Sequence, residues 1–90
     1  MYKILPYTHE KAKQLNLQVR PSDNPSYKIK IYSDKKFLFY GGDPSYSDYP
    51  HYIESHGKVY ADARRSLYNE RHKKELKNVG SRGWVIAKLL

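Results

Sequence analysis

Seven side chains between positions 64 and 77 set the first functional expectation: Arg64, Arg65, Tyr68, Arg71, Lys73, Lys74 and Lys77. Cations interleaved with a ring suit an anionic partner. A Lys or Arg set against a phosphate releases a condensed counterion, and a ring can stack on a base. On duplex DNA each such contact steepens the log–log salt dependence by about 0.9. The same charges would meet an acidic protein surface. Local pairing uses some of them, since Glu70 with Lys74 and Arg71 with Glu75 have the spacing of ion pairs on one helix. A surplus remains: Lys58–Asn78 carries seven Lys or Arg against three acids.

Catalytic chemistry has weaker support. His51 and His56 lie five apart, a poor spacing for one helix face, and His9 and His72 have no neighbouring ligand in sequence. Asp48 with His51, or Glu54 with His72, would make acid–base pairs, but Asp48 is also placed to cap a helix. No nucleophile elbow, phosphate-binding loop or dinucleotide fingerprint occurs, and Gly41-Gly42-Asp43 reads as a turn. A nuclease would need a cluster of acids to hold its metal, and none is visible. With no cysteine there is no thiolate site and no disulfide. The expectation is a protein that is not an enzyme and carries no metal or cofactor.

The basic residues need a scaffold, and Lys58–Asn78 supplies it as the longest run without Gly or Pro. It predicts one long helix over about 58–77. Val59, Ala63 and Leu67, joined by Tyr60, form an apolar stripe expected to face the core. The stripe narrows after Tyr68, so the second half is expected to project or to pack on a partner.

Elements upstream follow from local rules. Met1–Leu5 suits an edge strand or an anchoring arm. Thr8 is placed as the N-cap of a helix over 9–15, with Asn16 as its breaker. Leu17 and Val19 alternate with polar residues in a short extended run. Tyr27, Ile29 and Ile31 alternate with Lys28, Lys30 and Tyr32, which predicts a half-buried strand with the two lysines exposed. Residues 33–36 turn the chain into a return strand over 37–40, making a β-hairpin. Asp48 and Pro50 open a short helix over 49–56 that Gly57 closes. Ser81 caps a last helix over 82–90.

Ninety residues predict one small α+β domain, residues 1–90: a β-hairpin packed against three to four helices. Net charge is +8 but segregated. Residues 41–57 hold three acids and no Lys or Arg, between two strongly basic segments. Such a chain can meet nucleic acid, an anionic surface, an acidic protein or its own copies. Ten Tyr against two Phe and one Trp suit either interfaces or a thin core whose edge is near water. No stretch approaches the ~18 apolar residues of a membrane span, and the N-terminus lacks a signal-peptide apolar region. A soluble protein of a reducing compartment is expected.

The segments PYTHEKAKQLNLQVRPS, YKIKIY, YSDYPHYI, GKVYADARRSLYNERHKKE and VGSRGWVIAKLL together resemble a family of small uncharacterised basic proteins encoded by large DNA viruses and some phages. The resemblance covers nearly the whole chain. Its most specific parts are Tyr46-Ser47-Asp48-Tyr49, Tyr60-Ala61-Asp62-x-Arg64-Arg65 and Tyr68-x-x-Arg71-His72. Members often carry Gly where this chain has Asn16, and a Trp after the position of Leu90. The resemblance implies a viral protein made in the host cytoplasm, with no catalytic residues to carry over. The functional expectation is a virion structural protein, a minor capsid or cement component that bridges larger capsid proteins or its own copies. The alternative is a nucleic-acid-binding protein packaged with the viral DNA or acting on it.

Overall fold

A computed structural model describes residues 2–90. The chain is α+β, and the described residues form five helices and a three-stranded antiparallel sheet. It divides into two compact units. The first is built from the chain up to Tyr46 together with Leu89, the second from Ser47–Lys88 with Leu90.

In the first unit, α1 spans Pro6–Gln14. Thr8 is not its cap. Leu5 is extended before the helix and Pro6 takes the first turn, where its missing N–H costs nothing. Thr8 is instead fully buried, and its Oγ1 donates 2.9 Å to the Leu89 carbonyl. The other end behaves as expected. Asn16 takes a left-handed φ of 58°. Leu17 N–H then reaches back to the Ala12 carbonyl at 2.8 Å and Asn16 N–H to Lys13 at 3.1 Å, the paired closure of a left-handed helix end. Residues 2–5 form no strand, and Met1 lies outside the described residues.

The sheet runs β1 (Gln18–Pro21), β2 (Ile29–Ser33), β3 (Lys36–Gly41), in that order. The hairpin is present, with β1 added antiparallel along β2. Asp34 and Lys35 make its two-residue turn with φ of 50° and 65°, the doubly positive geometry that matches strand twist even without glycine. Val19, Ile29 and Ile31 point into the core, with Leu5, Ala12 and Leu89. Lys28 departs from expectation. It precedes β2 and is only 6% exposed, its ammonium 5.4 Å over the Tyr2 ring. Its apolar stem can be covered while the charge meets a π face.

β3 carries a bulge. Ile31 pairs with Phe39 but Tyr32 pairs with Phe37, which leaves Leu38 unpaired. Strict alternation would put Phe37 and Phe39 on one face. The extra residue moves Phe37 to the face of Tyr40.

The second unit holds α2 (Tyr49–His56), α3 (Lys58–Arg71), α4 (Lys73–Leu76) and α5 (Arg82–Leu89) up to Lys88. Asp48 caps α2, accepting from His51 N–H at 3.2 Å, and Ser81 caps α5, accepting from Trp84 N–H at 3.2 Å. Gly57 separates α2 from α3 with φ 88° and ψ 167°, a region essentially reserved for glycine. The long helix ends at Arg71 rather than about 77. His72 leaves the helical basin at φ −110°, ψ 19°, and the four-residue α4 follows.

Candidate functional site

The α2–α3 pair is held by tyrosines and charge. The Arg65 guanidinium lies 3.3 Å over the Tyr49 ring centroid, and Arg64 lies 5.5 Å over Tyr52. Tyr49 Oη donates 2.7 Å to Asp62, whose second oxygen accepts from Lys58 Nζ at 2.9 Å. Those two donors, Lys58 first, hold the Asp62 carboxyl below its ordinary 3.8. The same contacts raise Lys58, and the Asp62 hydrogen bond holds the Tyr49 proton more tightly than usual. His56 stacks on Tyr60 at 4.4 Å, and Tyr52 meets Tyr60 edge-on at 5.4 Å.

This packing turns α3 over relative to its apolar pattern. The fully buried residue is Ala61, and Arg64 and Arg65 are half-buried. The stripe expected to face inward is outside: Val59 is 87% exposed, Leu67 54% and Tyr60 41%, and Ala63 is exposed too. A small Ala side chain lets α2 approach closely, and the arginine stems and tyrosine rings provide the apolar contact. Hydropathy counts those stems as polar, which is why the pattern pointed the other way.

The seven basic-face residues have separate fates. Arg64 and Arg65 are laid on rings of α2. Tyr68 stacks on His72 at 4.3 Å, and its hydroxyl is pushed up, by burial first and then by Glu75. Lys73 lies 3.4 Å from Glu70. His72 Nδ1 lies 3.5 Å from Glu75, so both local acids have basic neighbours. The ion pairs expected between Glu70 and Lys74, and between Arg71 and Glu75, do not form among the described residues; the break at His72 changes which side chains meet. Arg71, Lys74 and Lys77 stay exposed, and form no ion pair among the described residues.

Of the two acid–base pairs read from the sequence, Asp48 with His51 is made, while His72 meets Glu75 and not Glu54. Asp48 is buried, and its Oδ1 lies 2.8 Å from His51 Nδ1. The same oxygen caps α2, which accounts for the burial. Among the described residues no three His, Asp or Glu converge on a metal-sized site. No described helix is long and apolar enough to cross a membrane.

Comparison with family models, curated proteins and solved structures gives no significant match.

Proposed function

We propose that this protein is a non-enzymatic docking module for a larger acidic protein, as a minor capsid or cement component of a virion would be. One observation carries the reading: α3 displays Val59, Tyr60, Ala63 and Leu67 to solvent and buries Ala61 on its other side. An exposed apolar row on a helix is the kind of surface that a groove in a partner covers. Arg71, Lys74 and Lys77 follow that row in the chain, are exposed, and form no ion pair among the described residues. Apolar anchor and cationic end together select a partner with an apolar groove and an acidic rim. The virion setting follows from the sequence resemblance.

The test uses purified virions and genome-free shells. The protein should remain in the empty shells, and a zero-length carbodiimide reagent should join Lys74 or Lys77 to Asp or Glu of a capsid protein. Recombinant protein carrying Val59→Ser and Leu67→Ser should melt like the parent yet fail to rebind stripped shells. Absence from the shells, or undiminished rebinding by that variant, would refute the reading.

A further inference from the structure

The face of the sheet opposite the core carries four rings in unbroken contact. Tyr27 and Tyr40 stack with centroids 5.5 Å apart and planes 14° from parallel. Phe37 meets Tyr40 edge-on at 5.0 Å, and Tyr32 meets Phe37 at 5.8 Å. The bulge at Leu38 is what brings Phe37 into this row. Phe37 is 45% exposed, although it has no polar atom to offer water.

Cations border the rings. Arg20 lies 6.0 Å over Tyr32. Arg20 and Tyr40 are the two register partners of Lys30 on either side, so all three lie on this face. Lys35 and Lys36 stand at the hairpin end. Asp23 accepts from Tyr40 Oη at 2.8 Å and fixes that ring, while Lys30, 3.7 Å away, offsets its charge. Over these strands and their loops five cations, Arg20, Lys28, Lys30, Lys35 and Lys36, stand against two acids, Asp23 and Asp34.

We propose that this face is a platform for single-stranded nucleic acid, separate from the α3 row and resting on none of the argument for it. Every base has a π-face, so aromatic side chains accept successive bases with little sequence preference while neighbouring cations follow the phosphates. Sheet aromatics in single-strand RNA-binding domains take two or three bases in this way. A duplex offers no free base face to such a surface. An acidic peptide would use the cations but leave the rings without stacking partners.

Fluorescence anisotropy with the full chain tests this. The probes are labelled oligothymidylate and oligouridylate of about 12 nucleotides, a length within the usual site size. A duplex of the same length and polyglutamate serve as competitors. At about 50 mM salt, where phosphate contacts are strong, the single strands should bind more tightly than the duplex. Preference for the uridylate would mark RNA as the ligand, preference for the thymidylate DNA, and either supports the platform. Phe37→Ala should weaken binding about 5- to 150-fold, the range for one lost stacked base. Arg20→Gln should reduce the salt slope by about 0.7, one phosphate contact on a single strand. Tyr40→Phe keeps the ring and should keep the affinity. Lys74→Ala combined with Lys77→Ala should leave it unchanged. The proposal fails if no single strand binds, if duplex or polyglutamate competes equally, if folded Phe37→Ala protein binds like the parent, or if the Lys74 and Lys77 changes abolish binding.

Discussion

The guanidinium of Arg65 lies flat against Tyr49, 3.3 Å above the ring centroid, while the hydroxyl of the same tyrosine is held by Asp62. One side chain at the start of α2 is thus fixed to α3 through both its face and its tip. Arg65→Ala should destabilise the protein by about 1–2 kcal/mol, since it loses a partly desolvated cation–π contact and the stem packing. A lower urea midpoint would show it. Arg65→Lys should recover only part, because an ammonium lacks the planar group that covers a ring.

Asp62 gives the second unit a dependence on acid. Its carboxyl is held below 3.8, so the folded state binds the proton less tightly than the unfolded chain. The contribution is complete above about pH 4 and is lost as pH falls through the lowered value. Lys58 and Tyr49 are raised from 10.5 and 10.0, so theirs is lost in the opposite direction, as pH rises beyond about 10. Asp62→Asn should flatten both limbs of a plot of thermal midpoint against pH. Unchanged limbs would mean that other groups set them.

Gly57 should tolerate no other residue well. A Cβ placed there meets no atom within 4 Å, so crowding is not the reason. The cost lies in φ 88° with ψ 167°, and Gly57→Ala should lose about 1–3 kcal/mol through the backbone alone. Thermal unfolding of the pure variant measures it.

Thr8 is buried with one clear duty, its hydrogen bond to the Leu89 carbonyl. Thr8→Val keeps the shape and leaves that carbonyl without its donor. The expected loss is about 1–3 kcal/mol, seen as a lower denaturant midpoint at unchanged slope. Thr8→Ser should retain most of the stability.

What could be read from residue types alone was local. The inward pair Ile29 and Ile31, the Asp48 and Ser81 caps and the Asn16 stop each depend on a few neighbours, and each formed as expected, whereas Tyr27, read with that pair, stacks on Tyr40 and Lys28 is buried. Thr8 looked like a cap by type, but Pro6 starts the helix two residues earlier and leaves Thr8 a tertiary role. The inside of α3 was not legible, because its contacts come from tyrosine rings and arginine stems. No Gly or Pro announces the break at His72. Which of the candidate cations stay available depends on tertiary and local contacts: rings of α2 hold Arg64 and Arg65, and Glu70 meets Lys73. The row of rings on the sheet was hidden for another reason: period two places Phe37 beside Phe39, and no residue type in β3 signals the extra residue.

That extra residue has an evolutionary side. Where a strand alternates strictly, surfaces change by substitution, one side chain at a time. Around Leu38 the strand can change length while both of its surfaces are kept. Losing the Leu38 codon would leave Phe37 opposite Tyr32 and Tyr40 opposite Lys30, so both rings would stay on one side and the row would survive the loss of the bulge. Related chains should therefore keep this surface through a one-residue deletion at the bulge, and a comparison that scores the gap as divergence would miss what is kept.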